Sequence, residues 1–295
     1  MQANSVGVAW RLWERQKGLG PLPLMLLLLM FLLAGCAGKP WTTQVTDQEG
    51  LHVRQIFEEI QERDASCFCC LDAKVSFFWD GPGEDRSISG FLQLMLPSSV
   101  KFVVTNPLGQ PLYAIVSDGH DFQSINTVLR QHTNGEISDL MREYSIPASL
   151  LSDDWGYWLI GRLHEQGASI EAIRQDEAGR GVWITTRYPA EEALAQSHFL
   201  LQPETKKLLT RILVDQQGKT IATLSYEYGA ARGDCVPVSR LTITELPYGS
   251  RLRVEFSEVL TEQVFSPARF RLKVPPGYKV QVLGGDRKGG SERED

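Results

Sequence analysis

Cys67-Phe68-Cys69-Cys70-Leu71-Asp72-Ala73-Lys74-Val75-Ser76-Phe77-Phe78-Trp79 is the stretch where the chain changes its period. Cys67, Cys69, Leu71, Ala73, Val75, Phe77 and Trp79 fall on one side of a two-residue repeat, and Asp72, Lys74 and Ser76 on the other, the pattern of a long half-buried strand. Just before it, Leu51, Ile56, Phe57 and Ile60 recur at near-helical spacing among Glu58, Glu59, Gln61 and Glu62, which predicts an amphipathic helix over 48–63.

Downstream the period-two pattern persists. Gly81-Pro82-Gly83 predicts a turn into a strand over 87–96, where Ile88, Leu92, Leu94 and Leu96 alternate and Phe91 and Met95 point the other way. Val100, Phe102 and Val104 mark a third strand, and 112–116 and 121–126 a fourth and fifth. Helical patterns follow over 136–144 and from Pro147 through Trp155, Trp158 and Leu159. Strands then resume over 169–175, 181–188, 198–202, 208–214, 220–228, 236–245, 251–259 and 270–274. Many short strands with few helices predict a mainly β (α+β) fold, a curved antiparallel sheet whose concave face the helices cover. No internal repeat or composition shift divides 51–282, so one domain is expected there, with a disordered tail over 283–295.

The N-terminus is a targeting segment. Arg11, Arg15 and Lys17 precede an apolar run of 13 residues from Leu22 to Ala34, too short for the roughly 20 that cross a bilayer, and Gly35 to Pro40 break it. Leu33-Ala34-Gly35-Cys36 resembles the lipobox of bacterial lipoproteins. That resemblance implies a signal peptide over 1–35, cleavage before Cys36, a covalent diacylglycerol on its thiol and acylation of the new amino terminus. The polar stretch 36–50 then reads as a lipidated linker, and Ala37 in place of Asp after the cysteine favours the outer over the inner membrane of a Gram-negative cell.

Composition excludes some classes. The formal charge is −6, and removing 1–35 takes away three cations and one anion, so the mature body is more acidic still. Such a surface is repelled by phosphate backbones, and no nucleic-acid partner is expected. Export to an oxidising compartment favours a disulfide between Cys235 and one of Cys67, Cys69 and Cys70. Zinc-like spacing of further ligands is missing around the cysteine cluster, with only Asp64 and Asp72 nearby, so no metal is expected. Nucleophile elbows, zincin helices, phosphate loops and dinucleotide fingerprints are absent from the sequence, and Gly119-His120-Asp121 reads as a turn. The chain is therefore read as a non-enzyme.

Thr105-Asn106-Pro107-Leu108-Gly109 is similar to a loop of the LolB family of outer-membrane lipoprotein receptors. Ile146-Pro147, Leu150 and Trp158-Leu159-Ile160-Gly161 follow that family's pattern, with extra residues at 152–157. Beyond Gly161 the likeness is to the wider LolA/LolB superfamily, in Pro203-Glu204-Thr205-Lys206 and Phe270-Arg271-Leu272-Lys273-Val274-Pro275-Pro276. The resemblance implies a half-open barrel of about eleven strands, plugged by helices, with an apolar cavity for acyl chains. Phe77, Trp79, Phe91, Met95, Phe102, Ile115, Trp155, Trp158 and Leu159 are the candidate cavity residues, although core packing uses the same residue types. The resemblance further implies that Leu108 is a membrane-insertion tip. It also implies a monomer at the outer membrane, facing the periplasm, that takes lipoprotein acyl chains or phospholipid from a LolA-like carrier. No cofactor is implied beyond the covalent lipid. The rival reading is an anchored structural or adaptor lipoprotein of envelope assembly with a closed core and no lipid cargo.

Overall fold

In a computed structural model the described residues are 39–144, 146–147, 150, 154–189, 194–230 and 235–284. Cys36 and the whole predicted signal segment lie outside them, as does the expected tail from 285 onward. None of the described helices is long and apolar enough to cross a membrane.

The predicted helix is α1, Asp47–Ser66, opened by the Thr46 hydroxyl accepting from the Glu49 amide and buried along Val53, Ile56, Phe57 and Ile60. Two meanders follow it. The first runs through β2 (Cys70–Gly81), β3 (Glu84–Met95), β4 (Ser99–Thr105), β5 (Pro111–Ser117), β6 (Asp121–Asn126) and β7 (Gln131–Glu136). Helices α2 (Ile137–Glu143) and α3 (Trp155–Leu159) separate it from the second, which comprises β8 (Ser169–Asp176), β9 (Val182–Arg187), β10 (Leu194–Gln202), β11 (Lys207–Asp215), β12 (Thr220–Tyr228), β13 (Val238–Thr244) and β14 (Arg251–Leu260). Antiparallel pairing of β14 with β2 joins the meanders, in a register that sets Val254 opposite Phe77. Two short strands finish the sheet: β1 (Trp41–Gln44) against β8, and β15 (Lys279–Val282) parallel to β7.

Among the described residues the sheet therefore has fifteen strands rather than about eleven, and it is not closed, with β1 and β15 at its two ends. Nine adjacent strands, β8 to β14 with β2 and β3, feed one core around α1 and α3. Laid flat they would span about 38 Å at roughly 4.8 Å per step, far wider than one helix of about 10 Å, so the sheet must wrap the helices.

Several expectations are corrected. Residues 41–50 are not linker, because β1 and the start of α1 are built from them. The long strand begins at Cys70, because the Cys67 amide instead caps α1 on the Arg63 carbonyl. Residues 270–274 are not a strand, because Pro267 opens a 3-10 turn, Pro267–Phe270, and Phe270 is buried against Cys70 and Phe265 on the outer face of the sheet. The chain crosses that outer face, with the Leu272 amide donating to Gln123, before it reaches β7.

Cys67 and Cys235 form the disulfide. It closes 168 residues of separation, including the whole of both α2 and α3, a constraint on the unfolded chain of about 5 kcal/mol. Replacing both cysteines with serine should lower unfolding free energy by about 2–5 kcal/mol, read by urea titration, with no change in circular dichroism of the folded state.

At the other end of the sheet, Asp176 ties the β8–β9 hairpin together. Arg180 hydrogen-bonds its carboxylate at 2.8 Å, and the Trp183 indole donates to it at 2.8 Å while packing on Trp41 of β1. The Arg180 hydrogen bond is the main cause, against an opposing cost of burial, that holds the Asp176 carboxyl down to about 2. Because the folded state lowers this pKa from its ordinary 3.8, the stabilisation is fully present above pH 3.8 and is lost as pH falls through about 2. Asp176→Asn should therefore lower the melting temperature at neutral pH, and the gap to the unsubstituted protein should close on titration toward pH 2.

Candidate functional site

Register decides which side chains share a face. Leu71↔Leu94, Ala73↔Leu92 and Phe77↔Ile88 continue through Phe102↔Leu92 and Ile115↔Phe102, so Phe77, Phe102 and Ile115 all look inward. Phe77 and Phe102 meet edge-on with centroids 5.1 Å apart. Gly90 makes that possible, since a Cβ there would lie 2.8 Å from the Phe102 ring and 2.4 Å from the Val103 carbonyl oxygen.

The nine candidate cavity residues do not form one lining. Phe91 and Met95 occupy the outer face, opposite Lys74 and Cys70 on β2; Phe91 is exposed and Met95 packs against the Cys70–Phe265–Phe270 cluster. Trp79 is inward in register but lies partly exposed near the end of the β2–β3 hairpin. Trp155, Trp158 and Leu159 are buried inside the main core, and the Tyr226 hydroxyl donates to the Trp158 carbonyl at 2.9 Å. Beside them lies a buried polar network in which Arg211 pairs with Glu165 at 2.8 Å and the Tyr188 hydroxyl donates to the same carboxylate. Burial pushes the Glu165 carboxyl upward against the pull of Arg211.

A hollow of about 430 Å³ does open on the inner face, farther along the sheet than expected. Its floor comprises Tyr113 and Ile115 of β5, Phe122 and Ser124 of β6, and Thr133 of β7, and Leu140 of α2 and the largely exposed Tyr144 at its end overhang it. None of the described residues lining it is charged. This volume falls within the roughly 300–1,000 Å³ of small-ligand sites. Two other hollows are lined by charged groups: one of about 520 Å³ at the end of α1, with Arg63, Asp64 and Lys206, and an adjoining one of about 540 Å³, with Asp121, Asp139 and Arg142. Only the 430 Å³ hollow among these suits a hydrocarbon chain without desolvating ions.

Ile115 is the one residue in this hollow that the sequence singled out as a cavity residue. Tyr113 could have been found as its i−2 neighbour on the same strand face. Leu140 and Tyr144 were legible as an apolar helix stripe, but nothing local indicated that the stripe would hang over β5 to β7.

At the end of β4, Leu108 projects into solvent and is 84% exposed. The turn beneath it satisfies its own backbone. The amides of Leu108 and Gln110 both donate to the Asn106 side-chain oxygen at 3.0 Å, and the Gly109 amide donates to the Asn106 carbonyl at 2.9 Å. Pro107 suits the first corner of this turn and Gly109 takes a φ of +79° that other residues rarely adopt.

Cys67 is consumed by its bond to Cys235, and Cys69 and Cys70 stay free with sulfurs 3.0 Å apart. Among the described residues no three His, Cys, Asp or Glu side chains are grouped to hold a metal ion.

The fold is LolA-like. It superposes on a protein domain from Vibrio parahaemolyticus named for outer-membrane lipoprotein sorting, with a TM-score of 0.52 and 11% identity over 74% of this chain and 95% of that one. A LolA superfamily protein from Nitrosomonas europaea gives 0.50 and 11% over 73% and 97%. A DUF1329 family protein from Desulfovibrio piger gives 0.50 and 12% over 74% and 97%. No family model matches the sequence, and no curated protein does.

If the hollow takes acyl chains, a charge inside it must oppose binding. Ile115→Asp should weaken uptake of a fluorescent fatty acid at least about tenfold, roughly 1.4 kcal/mol, as measured by titration of the probe. Phe91→Asp, on the outer face, should leave uptake unchanged.

Proposed function

We propose that this protein is a lipoprotein of the outer membrane, anchored through lipid on Cys36 and facing the periplasm. It binds acyl chains of lipoproteins or phospholipids in the hollow between α2 and β5–β7 and passes them into the bilayer. The observation that carries the reading is the hollow itself: space of ligand size with an uncharged lining, set beside a rigid turn that holds Leu108 in solvent.

Transfer of this kind needs no bond to be made or broken. A LolA-like carrier would hand over an acyl chain because the receiving site holds it better, and each methylene withdrawn from water contributes on the order of 0.8 kcal/mol. Leu108 then lowers the barrier at the final step by entering the hydrocarbon region beside the departing chain. The internally bonded turn is suited to this, since unpaired backbone groups are costly in lipid.

The adaptor reading draws its support from the main core, in which Trp155, Trp158 and Leu159 are buried together with the apolar stripe of α1. It requires the smaller hollow to be empty of lipid. Extraction of the purified protein followed by mass spectrometry, together with displacement of a fluorescent fatty acid, separates the two; absence of both signals would favour the adaptor. Leu108→Glu should keep fatty-acid binding and the melting temperature while abolishing delivery of a lipidated cargo to vesicles. Delivery at the unsubstituted rate would remove Leu108 from the mechanism.

A further inference from the structure

The β6–β7 turn lies at the same edge of the sheet as the Leu108 loop. Tyr113 opposes Asn126, and Asn126 opposes Gln131, so the chain leaves β4 for its loop and β6 for its turn on one side. Thr127 fastens the two together. Its amide donates to the Leu112 carbonyl at 3.0 Å, and its hydroxyl is within bonding distance of the Pro111 carbonyl at 2.9 Å and the Leu112 carbonyl at 3.0 Å. The turn beyond Thr127 presents Val128 and Leu129 to water, 72% and 65% exposed. The Leu129 amide donates to the Asn126 side-chain oxygen, so this turn, like the first, leans on an asparagine.

Charge sets this pair of turns apart. In a chain of net charge −6, the stretches 105–112, 126–131 and 277–279 hold Arg130 and Lys279 and no acidic residue. The Lys279 amide donates to the Arg130 carbonyl, which keeps both cations at the turn, and neither side chain makes an ion pair among the described residues. The acidic tip of the β2–β3 hairpin, with Asp80, Glu84 and Asp85, stands at the same end of the sheet but on the strand pair next to β4, and Glu84 there pairs with Arg86. Adjacent apolar tips carried on bonded turns, with cations and no anions beside them, match the interfacial region of a phospholipid bilayer: hydrocarbon for Val128, Leu129 and Leu108, phosphate for Arg130 and Lys279.

We infer that the Val128-Leu129 turn is a second membrane-contacting tip, stapled through Thr127 to the Leu108 loop, so that the two enter a phospholipid surface as one unit with the mouth of the hollow between them and the sheet. The inference rests on the proposed function for its partner and extends it to residues with no part in the fatty-acid site.

The test uses the full lipidated chain reconstituted into phosphatidylethanolamine–phosphatidylglycerol vesicles containing brominated lipid. Tryptophan is introduced as Leu108→Trp, Val128→Trp or Leu129→Trp, and the emission of the unsubstituted protein is subtracted. The expected result is bromine quenching of the added fluorophore in all three variants, and severalfold weaker quenching of Leu108→Trp when Val128→Asp and Leu129→Asp accompany it. Quenching at position 108 with none at 128 or 129 would overturn the second tip and leave the proposed function standing. Quenching at none of the three would overturn docking by this edge, while a fatty-acid titration of the same samples reports separately whether the lipid site survives. The exposed turn positions should tolerate substitution; melting curves identify any variant that does not fold, and Val128→Ser with Leu129→Ser then replaces the aspartates.

Discussion

The antiparallel pairing of β14 with β2 is the contact on which the rest of the structure depends. Each meander is locally connected and closes short loops, but neither half surrounds a core. Only when Phe77 comes opposite Val254 and Val75 opposite Phe256 do the two inner faces become one wall around α1. This is a long-range closure with a large entropic cost. The Cys67–Cys235 bond lies beside that seam in sequence terms, between the end of α1 and the approach to β13, and it removes much of the same entropy from the unfolded chain.

Closing the wall fills one part of it and leaves another unfilled. α1 is 20 residues long and buries a continuous apolar stripe against the strands it faces. Over β5 to β7 the cover is α2, which has seven residues and none of them buried. A helix that short, held by few apolar contacts, is displaced at little cost compared with α1. The difference between buried core and open hollow in this fold is thus a difference in the length of the covering helix rather than in the composition of the strands.

That distinction explains what could be read in advance. The periods of 3.6 and 2 identified α1, most strands and both meanders because burial on one face writes itself into residue spacing. β7 escaped notice because Gln131-His132-Thr133-Asn134-Gly135-Glu136 carries no apolar alternation; it is a strand through its backbone ladder to β6, with Gly135 beside Phe122. β1 and β15 are short edge strands fixed by their partners, and their four-residue sequences are too brief to show a period. The face of Phe91 and Met95 was readable from parity alone, but membership of a cavity was not. Both sides of β3 are apolar because Phe265 and Phe270 return across the outer face, a contact made more than 150 residues later in the chain.

The position of β1 changes how an anchor at Cys36 could act. Because β1 begins at Trp41, only residues 37–40 stand between the proposed lipid and the sheet, and four residues reach at most about 14 Å. A leash of that length does not let the domain sample the bilayer in many attitudes. Orientation must then come from the surface of the domain, and an acidic body with an acid-free patch across the β4–β5 and β6–β7 turns supplies it, since phospholipid phosphates repel most of the surface and spare that patch. A short tether restricts distance and the charge pattern restricts attitude. Neither alone would bring the turn at Leu108 to the membrane.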